Sequence, residues 1–525
     1  MNEPLLNPGQ IRLLVILIYM LILLSMGVLA SRLFRGTKQD FLLASHSIGP
    51  VLLLLSLFGT TMTAFALVGS TGEAYRKGIG IYGLMASASG IVHSLCFFLI
   101  GIKLWKFGRR HGHLTQIQYF RDRLDSPLIG FLLFPFLVGL TIPYLLVGVI
   151  GGGAVIQGMT SGAFPEWFPA LDGSGQATPA DGALPEWLGS GLICLVVVSY
   201  VFIGGMRGTA WANGFQTLVF VILGVVTFVL LAFKLGGETD LLASIRAVTE
   251  RVDVKYLTRE AIPPTYFLSY LLIPLSAAMF PHLFQHWLTA RSAETFKLAV
   301  VCHPLFILAV WLPCVMLGIW ATTLELPPSV AANQNQILPY LVASQLSPLL
   351  AGLLTAGILA AIMSSLDSQF LCLGSIFTND VVDRFLGRNR LSDRSIVWIT
   401  RSFVVLIVGV TYWISLSKHP SIFSLGVWSF SGFAGLFPVV FASLYWRRFT
   451  EAGAISSILA TAGSWLILFR ASNWGANKEF VVTLPGSELP FHPVVPIFAC
   501  SVFALLVTTR LTKPPRQSVL DRYFD

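Results

Sequence analysis

Charge is what this sequence has least of. Only 11% of its 525 residues are Asp, Glu, Lys or Arg, against about 25% in soluble globular domains. A water-facing surface of ordinary charge density cannot be assembled from that stock. Apolar runs are not broken by any polar stretch of domain length, so whatever the chain does, it does within those runs. Cysteine is scarce too. Cys96, Cys194, Cys302, Cys314, Cys372 and Cys500 all fall inside apolar stretches and none shows CxxC spacing, which excludes a disulfide framework and a zinc site. The net charge of +9 is no nucleic-acid signature, because it resides in short connecting loops. The first apolar run, 11–31, is followed rather than preceded by its basic cluster of Arg32, Arg35 and Lys38, so it reads as a retained span and not as a cleaved signal.

What is abundant is apolar: 55% of the residues are hydrophobic and the mean hydropathy is +0.76. A helix needs ~20 such residues to cross the hydrocarbon core. By that measure the sequence predicts about thirteen spans, near 11–31, 49–71, 79–105, 128–158, 188–204, 210–234, 264–285, 298–322, 346–378, 396–416, 421–445, 452–470 and 493–511. The chain is thus expected to be an all-α polytopic membrane protein forming a single transmembrane domain over 1–525. Basic residues cluster at Lys103–Arg123, Arg384–Arg394, Arg447–Arg448 and Arg510–Arg522, whereas the loop 159–187 contains no Lys or Arg. The positive-inside rule then places the N-terminus outside and the C-terminus in the cytoplasm. The exception, 235–263, carries Leu241, Leu242, Ile245 and Val248 at helical spacing and is expected to form an amphipathic helix on the membrane surface. The Gly-, Pro- and Ala-rich loop 159–187 is expected to be irregular.

Three spans contain residues that an ordinary lipid-facing helix avoids. The second reads Gly59-Thr60-Thr61-Met62-Thr63. Threonine returns its hydroxyl to a carbonyl one turn back and glycine weakens the turn, so the pattern fits an opened helix lining a cavity or a small-residue contact surface. The ninth packs Ser364, Ser365, Asp367, Ser368 and Gln369 into under two turns. A carboxylate at membrane depth demands a partner; alternatively Asp367 sits near the inner end and reaches water. Ser364, Asp367 and Ser368 share a face, and their hard oxygens suit an alkali cation. The seventh contains Pro274 and Pro281. The second and seventh lie five spans apart, as expected for the first helices of two inverted repeats.

Three stretches resemble the sodium:solute symporter family. Ala360-Ala361-Ile362-Met363-Ser364-Ser365 is similar to its Ala-Ala-x-Met-Ser-Ser/Thr stretch. Gly204 to Gln216 is similar to its Gly-Gly…Trp-Thr-Asp…Gln signature, and Gly432 to Arg448 to its Gly…Pro…Leu-Tyr/Phe-Trp-Lys/Arg stretch. The resemblance implies a LeuT-type 5+5 inverted repeat over 49–234 and 264–445, with one extra N-terminal helix (11–31) and two extra C-terminal helices (452–511). It implies one Na⁺ held by the carbonyls of Gly59, Met62 and Ala361 and the hydroxyls of Ser364 and Ser365; Asp367, from its place beside the serines, is expected in a coupling role. Two positions depart from the pattern: Ala212-Asn213 stands where the family has Thr-Asp, and His286 where it usually has arginine.

The expected activity is secondary active transport: Na⁺-coupled symport of a small organic solute by alternating access, with no enzymatic step. A carboxylate or amino acid ranks first. A sugar ranks below, because the matching positions Ala66, Met85 and Ala88 are apolar and unpaired hydroxyls are costly. Thr60, Thr61, Thr63, Tyr144, Ser276, His303, Trp428 and Ser429 are the expected solute-facing residues. A proton-coupled carrier, with Asp367 titrating, and a transport-inactive sensor are the alternatives. The expected partners are the solute, Na⁺ and the lipid of the plasma or inner membrane; neither nucleic acid nor an obligatory protein partner is implied.

Overall fold

The computed structural model describes residues 6–31, 37–170, 178, 180–382, 392–417, 419–483 and 489–524. Arg32 and Arg35, which follow the first span, and Arg384, Arg388 and Arg390 of the Arg384–Arg394 cluster lie outside them. The long helices are α1 (Pro8–Leu29), α2 (Pro50–Thr61), α3 (Phe65–Lys77), α4 (Gly80–His111), α5 (Pro127–Met159), α6 (Glu186–Gly236), α7 (Pro264–Ala278), α8 (Pro281–Thr289), α9 (Ala293–Thr323), α10 (Pro348–Val382), α11 (Asp393–Ser415), α12 (Ile422–Tyr445), α13 (Glu451–Ala471) and α14 (Val494–Leu511). The amphipathic segment forms a helix, Leu241–Glu250.

Among the described residues ten of these elements are long and apolar enough to span, and the α2–α3 and α7–α8 pairs bring the count to twelve; the thirteenth expected span lies within α6. The difference arises at Gly205. The sequence separates 188–204 from 210–234, but α6 runs through both as 51 residues with one break, Gly205 at φ 53°, ψ −154°. A straight rod of that length would measure ~76 Å, more than twice the hydrocarbon thickness. The break is where α6 changes course, and only glycine enters that region without strain. It is also crowded: a Cβ there would lie 2.5 Å from the Phe41 ring. The adjacent Arg207 Nη2 donates to Asp40 Oδ1 at 2.6 Å, so the short helix Lys38–Leu43, which leads into α2, is keyed into the bend of α6.

Burial sorts the helices into layers. In the most apolar windows of α10 and α12, 83% and 89% of residues are buried, against 28% for α1, α13 and α14. The former make the centre and the latter face lipid. α6 packs along α10 and α1 lies against both, while α13 and α14 pair with each other. At the end of the bundle where α3 finishes, Glu73 is sealed (2% exposed) and receives Arg76 at 2.7 Å and Lys77 at 3.4 Å. Both cations also reach Glu479 in the α13–α14 loop.

Candidate functional site

Both interrupted spans are broken where the sequence says. α2 stops at Thr61, and Met62 is extended (φ −87°, ψ 115°). α3 then leaves at a 58° bend. Thr61 Oγ1 donates to the Phe58 carbonyl at 2.9 Å, the return bond expected of threonine in a helix. Thr63 Oγ1 accepts the Phe65 N–H at 3.0 Å and so caps the second half. The contact-surface reading of this segment is therefore set aside in favour of an opened helix. In the second pair Phe280 is extended (φ −63°, ψ 117°) and the bend is 49°.

α10 passes the first break. Ser364 Oγ lies 2.8 Å from the Gly59 carbonyl and 3.0 Å from that of Ala361, so three of the five expected cation ligands meet. Met62 is one turn beyond Gly59, and Ser365 is beside Ser364, where its hydroxyl accepts from Gln369 Nε2 at 2.6 Å. Gly59 is required by the close approach: a Cβ there would sit 2.4 Å from Thr217 Oγ1. Ser364 and Ser365 are 0% and 1% exposed.

Asp367 does not reach water; it is 0% exposed. Its Oδ2 accepts from the Tyr200 hydroxyl at 2.9 Å and its Oδ1 from Ser368 Oγ at 3.0 Å. Ser368 in turn meets Asn213 Nδ2 at 2.8 Å and His286 Nε2 at 3.0 Å, and His286 Nδ1 reaches Ser56 at 2.8 Å. The two departures from the family pattern, Asn213 and His286, thus sit on one hydrogen-bonded chain with Asp367. The carboxylate missing from position 213 stands instead on the neighbouring helix.

Beside the break lies a small cavity of about 40 Å³, lined by Thr61, Met62, Phe65, Met85, Ser89, His93, Tyr144, Tyr270, Ile273, Pro274, Ser276, Phe280, Trp311 and Phe430. It has room for no more than about three waters, so a solute enters only as the helices part. Met62 joins the cation and cavity groups: its backbone is in the break, and its sulfur accepts from Trp311 Nε1 at 3.3 Å. Of the expected solute-facing residues, Thr61, Tyr144 and Ser276 line this cavity. Thr60 is buried with an unpartnered hydroxyl, and Thr63 is spent on the cap. Ser429 donates to the Leu140 carbonyl at 2.7 Å, binding α12 to α5. Trp428 packs on Phe469 at 5.2 Å. His303 stands behind His93 rather than on the cavity. Apart from Tyr144, the aromatic lining residues and His93 are not among the solute-facing residues expected from the sequence. Their signal, scattered aromatics in apolar helices, is the same as that of any packed core.

Comparison with known proteins agrees with this geometry. The sequence model of the sodium:solute symporter family matches residues 41–163 and 189–461. The sodium/proline symporter of Haemophilus influenzae is 26% identical over 522 residues, covering 96% of this chain and 95% of the relative. That of Escherichia coli is 24% identical, covering 93% and 91%, and the osmoregulated proline transporter OpuE of Bacillus subtilis is 23% identical, covering 95% of each. A substrate-bound, outward-open structure of a Na⁺-coupled sialic acid symporter superposes with a TM-score of 0.72 at 18% identity, covering 97% of this chain and all of that one. A closed nucleobase-cation-symport-1 family transporter gives 0.51 at 11%, covering 92% and 97%. These two share the LeuT-type fold with this chain. Broken helices meeting a serine pair on α10, in a fold shared with Na⁺-coupled carriers and with the family's sequence pattern over most of its length, lead to one conclusion: the chain belongs to the sodium:solute symporter family, and is a multi-pass membrane transporter, not an enzyme, with Na⁺ as its coupling ion.

Proposed function

We propose that this protein carries a small carboxylate or amino acid together with Na⁺, holding the ion with the carbonyls of Gly59, Met62 and Ala361 and the hydroxyls of Ser364 and Ser365. The observation that carries the reading is the Ser364 hydroxyl within 3.0 Å of carbonyls on both sides of the α2–α10 contact. Such a cluster of hard oxygens suits an alkali ion. Na⁺ closes and orders the α2–α3 break, and Met62, shared with the cavity, passes that order to the solute. Linkage makes the effect mutual. The repeats 49–234 and 264–445 rock against each other around this point, with the N-terminus outside and the C-terminus in the cytoplasm.

A small carboxylate suits the cavity because the free end of α3 presents the positive end of a helix dipole. Proline is the first amino acid to try, given the sodium/proline symporters among its curated relatives. The deciding experiment is thermal stabilisation of the purified protein by proline, monocarboxylates, pantothenate and sugars, each in Na⁺ and in K⁺. A carboxylate or amino acid that stabilises only in Na⁺ is expected. Stabilisation by a sugar alone would overturn the solute class, and equal stabilisation in K⁺ would overturn the proposed ion site.

A further inference from the structure

At the edge of the cavity two histidines from different helices meet. His93 Nδ1 on α4 lies 3.2 Å from His303 Nε2 on α9. His303 is fully buried, with Phe58 and Phe97 edge-on at 5.5 and 5.0 Å, and its Nδ1 has no partner. Neither ring has an acidic partner among the described residues. His93 lines the cavity, and its Nε2 makes no hydrogen bond among the described residues.

A neutral imidazole has one N–H and one lone pair, so the bond between the rings runs in one of two directions. If His93 donated through Nδ1, His303 would carry its proton on Nδ1, sealed among aromatic rings without an acceptor. A buried donor left unmade is the arrangement proteins avoid most. If His303 donates through Nε2, its Nδ1 keeps only a lone pair. His93 then accepts at Nδ1 and must carry its own proton on Nε2. The second arrangement leaves no orphaned N–H inside the protein and presents one at the cavity. Tyr270, also lining the cavity and 2% exposed, has an unpartnered hydroxyl as well. The cavity therefore has hydrogen-bond donors to offer and no cation.

We infer that His93 is a specificity-determining residue: its Nε2–H donates to an acceptor oxygen of the solute, and His303 is a positioning residue that fixes the tautomer. This rests on the solute class proposed above. It selects solutes presenting a carboxylate oxygen at that depth, and it explains why a lone histidine on an apolar helix is tolerated there.

The test uses the full-length protein in proteoliposomes with an inward Na⁺ gradient and radiolabelled L-proline and lactate. Uptake of either by the unaltered protein tests the solute class; uptake of neither overturns that reading and this one with it. With the transported probe, His93→Phe is expected to raise KM about ten- to hundredfold, the loss of a hydrogen bond to a charged group. His93→Gln, which keeps an N–H at similar reach, is expected to restore most of it. His303→Leu should raise KM while His303→Gln does not. Stabilisation by Na⁺ without solute should be the same in all four variants, which also establishes that they fold. Equal KM in His93→Phe and the unaltered protein would overturn the inference. So would ¹⁵N shifts of labelled histidine showing His93 protonated at Nδ1, a readout that needs no transport.

Discussion

Removing the Ser364 hydroxyl is the sharpest perturbation of the proposed ion site. That hydroxyl lies 2.8 and 3.0 Å from the Gly59 and Ala361 carbonyls. Losing a neutral hydrogen bond of this kind costs about 1 kcal/mol of stability, too little to unfold a transporter of this size. With Na⁺ bound the same oxygen turns its lone pair to the ion, and an interaction with a charged group is worth about 1.5–3 kcal/mol. Since each ~1.4 kcal/mol is tenfold, Ser364→Ala should raise the half-saturating Na⁺ concentration about ten- to over a hundredfold. Adding Ser365→Ala should remove Na⁺ stimulation of uptake altogether. The control is Thr355→Ala on the same helix, whose hydroxyl merely returns to the Ala351 carbonyl at 2.7 Å. Na⁺-dependent uptake and Na⁺-dependent thermal shift should move together for the serines and stay put for Thr355. A Ser364→Ala, Ser365→Ala protein that is folded and still responds to Na⁺ at the original concentration would refute the ligand assignment.

Two further outcomes follow from the surrounding charges. Asp367 is one helical turn from Ser364, a separation of about 5–6 Å between side-chain roots, so in its ionised form it favours a bound cation by roughly 2–3 kcal/mol at an effective dielectric near 20. Asp367→Asn should raise half-saturating Na⁺ at least tenfold, and Tyr200→Phe much less; an unaltered Na⁺ titration in Asp367→Asn would make the carboxylate a packing group only. In the α13–α14 loop, burial pushes the Glu479 carboxyl up, but bonds and charge from Arg76 and Lys77 outweigh it and hold it below the usual carboxylate range. A depressed folded-state pKa contributes stability above the unfolded value and loses it as pH falls through the folded one. Closure of this end should therefore be constant from about pH 5 to 8 and loosen below about pH 4. The distance between spin labels at N477C and S329C, in a cysteine-free background, should lengthen there; Glu479→Gln should lengthen it at neutral pH. Acid opening that persists in Glu479→Gln would assign the effect elsewhere.

Residues that conflict with their surroundings were the legible ones. Gly59-Thr60-Thr61-Met62-Thr63 and Pro274/Pro281 announce broken helices because helical backbone rejects them locally, and both breaks are there. Asp367 announces a buried partner because a carboxylate in an apolar span has no cheaper state, and Tyr200 supplies it. What sequence could not give was helix rotation. Phe430 lines the cavity, but Trp428, two residues earlier, is ~200° around the same helix and packs on α13. His303 and Trp311 share α9 eight residues apart, ~12 Å along the axis, and only Trp311 reaches the cavity. His93 was not singled out because its significance lies in a bond to a residue 210 positions away. The two predicted spans 188–204 and 210–234 are both present in α6, joined with no loop between them because the single residue Gly205 makes the change of course.

That change of course has a mechanical consequence. With Phe41 seated against Gly205 and Asp40 tied to Arg207, the root of the opened span is clamped to α6 instead of hanging from α1. Tilting α2 to expose the ion must drag the lower limb of α6 with it, so the two should travel as one lever whose fulcrum is a single glycine. Enlarging that residue, as in Gly205→Ala, would unseat the lever without touching ion or solute, slowing turnover while leaving both affinities nearly intact.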